Sequence, residues 1–409
     1  MTSSLRGRWS RLLFAFVSAV VALIAAFAAV GSTIPLFNLY RAEDHFTNAG
    51  IALTVVAYSF GTIGTLLVLG RLSNYVGRRA AAITALALLI AGCVVLLNVH
   101  VIGVLVTGRL LMGLGAGMAS SSLAAYIVDA APKRPAWLAS VASSQTVMLG
   151  LAVGAIGSGA LVQFAPLPRQ LVFLVAIALL IVSAVLAALS PETVTKTPFA
   201  WSSLRPSVRV PHHVRPLLPV AAAVILPTWA TGAFYQAFVP ALVADELHTK
   251  NPLILGLVFA GYMAPSAFGA PLGHRFAPAT AQRIGMTGFM LGWAGLITAN
   301  ATGALPLFLV ATIVAGVGQG IAISAVTHGL VFGSSIAERA AIFTVVYLLS
   351  YSGATIPSLI AGQLSTVVPV PQIAVGYAVF ALLGTAYTVV AAKNPAGESL
   401  SSASSSRYA

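Results

Sequence analysis

Apolar residues run through this chain in long unbroken stretches, separated by short polar punctuation. Crossing a hydrocarbon core of about 30 Å takes about 20 apolar residues in a helix, which satisfies its own backbone hydrogen bonds inside lipid. Twelve such windows are predicted, over residues 12–37, 50–70, 80–98, 101–125, 139–163, 170–189, 217–241, 253–273, 284–301, 304–328, 341–362 and 371–392. A membrane barrel would show segments of about ten residues alternating in polarity, and these windows do not alternate. The predicted fold class is an all-α membrane protein of twelve transmembrane helices. Gly, Ala and Ser recur at close spacing in many windows, and in lipid such residues let helix backbones approach each other.

Composition narrows the choice further. Hydrophobic residues make up 59% of the 409 and charged residues only 7%, against about 25% charged in a soluble protein. The formal charge of +13 does not point to nucleic acid, because the basic residues lie between apolar runs instead of clustering on one face. The single cysteine, Cys93, lies inside an apolar stretch, so no disulfide framework and no cysteine metal site is expected, and no cofactor. Arg6, Arg8 and Arg11 ahead of the first window also fit a signal peptide, but the apolar run continues to Phe37, longer than a signal core.

Orientation follows from loop charge. If the windows cross in turn, 17 of the 21 Lys and Arg residues fall on the side of the N terminus, which places both termini in the cytoplasm and the chain in the cell inner membrane. Residues 190–216, with Pro191, Pro198, Pro206 and Pro211, read as a cytoplasmic linker. It divides a six-helix bundle over 1–189 from a second over 217–393, with 394–409 as a disordered tail.

The two halves repeat each other. Gly113-Leu114-Gly115-Ala116-Gly117 in the fourth window aligns with Gly316-Val317-Gly318-Gln319-Gly320 in the tenth, at an offset of 203. Tyr58 and Arg71 align with Tyr262 and Arg275, and the acidic pair Glu43-Asp44 with Asp245-Glu246. Repeats of this kind mark secondary transporters.

At this point the chain resembles the major facilitator superfamily. The loop Gly70-Arg71-Leu72-Ser73-Asn74-Tyr75-Val76-Gly77-Arg78-Arg79 is similar to the family signature G-x-L-x-D-R-x-G-R-R, with Asn74 where Asp is usual and Tyr75 where Arg is usual. Arg109 to Gly117 is similar to R-x-x-x-G-x-G-x-G. Gly150 to Gly159 resembles an antiporter pattern, with Ala155 in place of its Pro and Ser158 in place of one Gly. Pro191-Glu192-Thr193 also resembles a family motif. The resemblance implies two pseudo-symmetric six-helix bundles and secondary active transport of a small solute by alternating access, efflux being the favoured direction. It also implies conformational roles for Gly70, Asn74, Gly77, Arg78, Arg79, Gly150 and Gly154.

Arg109 is the only charged residue inside the windows. A charge in hydrocarbon costs several kcal/mol unless it meets water or a partner, so it marks a functional position by default. With a rise of about 1.5 Å per residue, it lies about 12 Å from the edge near Val101. No window holds Asp or Glu, which leaves carbonyls, a polar side chain such as Gln145, water or an anionic ligand to satisfy it. Substrate contact and a structural brace are equally good readings. Asn38, Gln145, Trp229, Tyr235, Gln236, Tyr262, Gln319 and Tyr347 are the other predicted cavity residues, each offering a hydrogen-bonding group or an apolar face.

Proton coupling needs a titrating group in the pathway. His328 at the end of the tenth window is one possibility; Asp44, Asp129, Asp245 and Glu246 at window edges are others. Asp129 is also the expected gate partner of Arg71, Arg78 and Arg79. If it replaces the acid missing at Asn74 the gate keeps its ion pair; if not, the outward-facing state loses a latch. Basic residues that only fix topology are the alternative reading. The partners expected are the lipid bilayer, a small-molecule substrate and a proton, with a monomer as the working unit and no nucleic acid. An uptake symporter or facilitator and a non-transporting membrane sensor are the competing readings. An intramembrane enzyme is disfavoured by the lack of any H-E-x-x-H, G-x-S-x-G or phosphate-loop motif.

Overall fold

The windows fold as helices, and most pass their predicted bound at one end, three of them at both. In the computed structural model, which describes residues 2–70, 72–132, 135, 137–194, 211–273 and 275–395, the first six long helices are α1 (Thr2–Gly31), α2 (Asn48–Leu69), α3 (Arg78–Leu96), α4 (Ile102–Ala130), α5 (Trp137–Phe164) and α6 (Pro168–Leu189). The remaining six are α7 (Leu218–Ala237), α8 (Pro252–Gly273), α9 (Pro278–Thr302), α10 (Leu305–Val331), α11 (Ile336–Leu364) and α12 (Val370–Ala391). Arg71, residues 195–210 of the predicted linker and 396–409 of the predicted tail lie outside the described residues, as do the side chains of 2–10, 137, 140, 270, 336, 337 and 340. Among the described residues there is no strand.

Eleven of the described helices are long and apolar enough to cross a membrane. α9 has the length, 25 residues, but Gln282, Arg283 and Asn300 lower its hydropathy and it is not one of the eleven. The predicted twelve is therefore one more than length and apolarity establish. α9 also begins at Pro278, six residues before its window, so Arg283 is helical instead of lying in a loop. Its guanidinium donates to the carbonyls of Val389 and Ala392 at 3.0 and 2.9 Å, groups left open by the end of α12. α4 likewise runs past its window to Ala130, carrying Asp129 on its last turn.

The repeat seen in the sequence is also a repeat in packing. A Cβ at Gly117 would meet the Thr62 carbonyl oxygen of α2 at 2.6 Å, and a Cβ at Gly320 would strike the Ser266 carbonyl of α8. A Cβ at Gly150 of α5 would lie 2.9 Å from the Ile24 carbonyl oxygen, and one at Gly353 of α11 would lie 2.7 Å from that of Leu226. Each pair is displaced from its counterpart by 202 to 204 positions. Lipid tails are as apolar as leucine, so such helices associate through close van der Waals contact, which small residues permit.

Two compact units divide the chain. One comprises Met1–Pro206, Tyr235–Met263 and Ser358–Thr366; the other comprises Ser207–Phe234, Ala264–Pro357 and Val367–Ala409. The boundaries cut through α7, α8 and α11, and in α8 and α11 they fall beside Pro265 and Pro357. A helical proline removes one backbone hydrogen bond and bends the helix locally.

Candidate functional site

In the first unit the site is built around Arg109, on the third turn of α4 and wholly buried. One terminal nitrogen donates to Thr33 Oγ1 at 3.0 Å and to the Val30 carbonyl at 3.3 Å; the other donates to Gln236 Oε1 at 2.9 Å. The guanidinium carbon stands 4.6 Å from the Tyr58 ring centre, a cation–π contact. Among the described residues Nε has no hydrogen-bond partner. The four described contacts of the cation are thus all to neutral groups.

The amide that satisfies Arg109 is Gln236, not the expected Gln145, whose Nε2 lies 3.2 Å from Ser144 Oγ. Thr33 and Tyr58, both buried, were not singled out by sequence. Tyr58 had a signal in its alignment with Tyr262, whereas Thr33 had none. Tyr235 and Tyr262 stack with centroids 4.4 Å apart at an interplanar angle of 5°, and both are fully buried. Asn38 is committed elsewhere, donating to the Pro240 carbonyl at 2.7 Å. Ser158, standing for a glycine of the antiporter pattern, is buried and donates to the Ser32 carbonyl at 2.6 Å.

The second unit gathers the other predicted residues. Trp229 meets Tyr351 at 5.1 Å between ring centres, and Phe343 lies 6.4 Å from Tyr347. Gln319 is buried with its Nε2 3.4 Å from Ser266 Oγ. His328 is exposed on the last turn of α10 with its ring against Phe332 at 6.2 Å.

The signature loop shows why its residue types are needed. Gly77 has φ +98°, a left-handed conformation that only glycine adopts without strain. A Cβ there would also strike the Glu192 carboxylate. That carboxylate accepts the backbone N–H groups of Arg78 and Arg79 at 2.8 and 3.2 Å, capping the open N-terminus of α3. Arg78 Nε pairs with Asp129 Oδ2 at 2.9 Å, and its NH1 donates to Ser73 Oγ at 2.6 Å. Gly70 ends α2, and Asn74 lies in the short helix Ser73–Val76. In the second unit Asn394 Oδ1 accepts the Ala279 N–H at 2.9 Å, the same cap 202 positions on, with a neutral amide in place of the carboxylate. Losing a cap costs about 0.5–2 kcal/mol. Glu192→Ala should therefore lower stability by about 1 kcal/mol and Glu192→Gln by less, read as unfolding midpoints of the purified protein.

The Major Facilitator Superfamily sequence profile matches residues 19–358. The chain belongs to this superfamily. With eleven described helices long and apolar enough to cross a membrane, it is accordingly an integral membrane protein of that superfamily. It is also similar to an uncharacterised MFS-type transporter, EfpA, of Mycobacterium tuberculosis, with 28% identity over 153 residues in two strains, CDC 1551 / Oshkosh and ATCC 25618 / H37Rv. That alignment takes in 36% of this chain and 29% of the relative's length.

Proposed function

We propose that this major facilitator superfamily member exports a small polar or anionic solute by alternating access, with both termini cytoplasmic and Arg109 at the solute site. The observation that carries the reading is a fully buried guanidinium that, among the described residues, has no carboxylate against it and one N–H unused. A buried charge met only by neutral acceptors is incompletely compensated, and an anionic group reaching it would gain short charge-assisted hydrogen bonds. The α5 pattern from Gly150 to Gly159 supports efflux. The α2–α3 loop, with its Arg78–Asp129 pair, then lies at the cytoplasmic end and serves as the gate on that side. A monomer with a proton as coupling ion completes the proposal.

Counterflow in proteoliposomes tests it. Liposomes preloaded with a monocarboxylate or an organic phosphate should accelerate entry of the labelled compound, and an imposed pH gradient should change its accumulation. Exchange confined to organic cations would overturn the solute class. Binding without any exchange would favour a sensor.

A further inference from the structure

The two repeats part company near the end of their fourth helices. At the offset of 203 that aligns Gly113 with Gly316, Tyr126 of α4 aligns with Gly329 of α10. In the first unit the Tyr126 ring is buried and its hydroxyl donates to the carbonyl of Pro191, just after α6. In the second unit Gly329 has no side chain to fill that space. A small cavity is lined there by Gly329 and by Lys393, which stands just after α12 at the position equivalent to Pro191. The first turns of α9 contribute Gln282 to the same cavity. The offset of 201 between the two capped N–H groups, those of Arg78 and Ala279, aligns Gln282 with Ala81. A buried tyrosine and a buried methyl in one repeat are thus a void and a buried amide in the other.

Gln282 is 6% exposed, and its Oε1 is buried with no hydrogen-bond partner among the described residues. Its Nε2 lies 3.9 Å from where a Cβ at Gly329 would stand. A buried amide oxygen without a donor costs about 1–3 kcal/mol, so an occupant that brings a hydroxyl or an N–H is favoured there. Val220 and Leu330 give the walls an apolar surface, and the exposed Pro216 and Lys393 mark where the cavity reaches the outside. The space is small, enough for a hydroxymethyl arm and not for a whole headgroup. Charge around it is one-sided. Among the described residues of the second unit Arg215, Arg275, Arg283, Arg339 and Lys393 outnumber a single acid, Glu338. All six lie at the end where α7, α9 and α11 begin, the cytoplasmic end on the orientation proposed above. Basic pockets between membrane helices on that side take anionic lipid headgroups.

We propose that this cavity binds the headgroup of an anionic phospholipid that carries a free alcohol, phosphatidylglycerol being the simplest. The hydroxyl enters the cavity and donates to Gln282 Oε1, while the phosphate stays outside against Lys393. The test counts the lipids retained by the purified full chain in native mass spectra and reads apparent affinities from titrations in detergent. Phosphatidylglycerol should bind about tenfold more tightly than phosphatidic acid, which keeps the negative charge and lacks the alcohol, and phosphatidylcholine should not be retained. Gln282→Leu should bring phosphatidylglycerol down to the phosphatidic acid level without lowering the melting temperature, since it removes a buried unpaired oxygen. Gly329→Ala should do the same. Its methyl enters the cavity at ordinary contact distances, 3.7 Å from Pro278 Cβ and 3.9 Å from Gln282 Nε2, and alanine suits a helix better than glycine. Lys393→Gln should weaken both anionic lipids alike. Equal binding of the two anionic lipids, or a preference that survives in Gln282→Leu and Gly329→Ala, overturns the headgroup site and leaves the cavity to water. Displacement of the lipid by soluble glycerol 3-phosphate at matching concentration overturns the lipid in favour of a free phosphate ester. Detergent has no sides and no transported solute is present, so an error in the proposed orientation or solute leaves the result intact.

Discussion

Arg109→Met is expected to leave the purified protein about as heat-resistant as the parent, while solute exchange falls at least about tenfold. The two halves of that expectation have different causes. A hydrogen bond to a charged group contributes about 1.5–3 kcal/mol, and Arg109 makes three, to Val30, Thr33 and Gln236. Against this stands the cost of burying a cation with no counter-ion, itself several kcal/mol. The terms nearly cancel for folding, and methionine fills much of the same space against the Tyr58 ring with a favourable sulfur contact. They do not cancel for an anionic solute, which loses the buried cation that would bind it. A brace predicts the reverse pattern, a lower melting temperature with solute affinity unchanged, and that outcome would sink the assignment. Arg109→Lys should fall between, because a single ammonium cannot span Thr33 on one side and Gln236 on the other. Counterflow rates and unfolding midpoints on the same preparations distinguish the cases.

The contrast between Arg109 and its partners shows what could be read before the fold was known. Lipid permits few exceptions to a run of about 20 apolar residues, so the helices, and a lone arginine among them, stand out locally. The partners do not, because Thr33, Tyr58 and Gln236 lie 76, 51 and 127 positions away. Residue type alone could not separate Gln236 from Gln145, nor show that Asn38 serves the segment after α7. Helix ends were the other weak point. Asp129 and Arg283 look like loop residues, yet each satisfies a group on a neighbouring element and stays helical. Glu192 was visible only as part of a tripeptide motif, since its role depends on a helix N-terminus 113 to 114 positions earlier. The glycine-rich windows were legible as close-packing helices, but their partners became clear only from the crossings themselves.

Those crossings carry the largest expected effect on folding, in Gly154→Val. A Cβ at this position of α5 would lie 2.5 Å from the Cα and 2.6 Å from the carbonyl carbon of Ala28 in α1. Backbone atoms have no rotamer with which to retreat, so the two helices must separate. Separation also disturbs Gly150, whose Cβ position lies 2.9 Å from the Ile24 carbonyl oxygen, and Gly31, 3.0 Å from the Leu151 Cα. Overpacking of this kind costs about 1–3 kcal/mol even where side chains can shift, and about 3 kcal/mol or more is expected against rigid backbone. Gly157, three residues along the same helix, is the control. It is exposed and a Cβ there would meet nothing within 4 Å, so Gly157→Val should melt with the parent. The measurement is the fraction of monodisperse protein surviving a heating series in detergent. Equal loss in both variants would mean that valine simply disfavours this helix, and the α1–α5 crossing would lose its claim to be why glycine stands at 154.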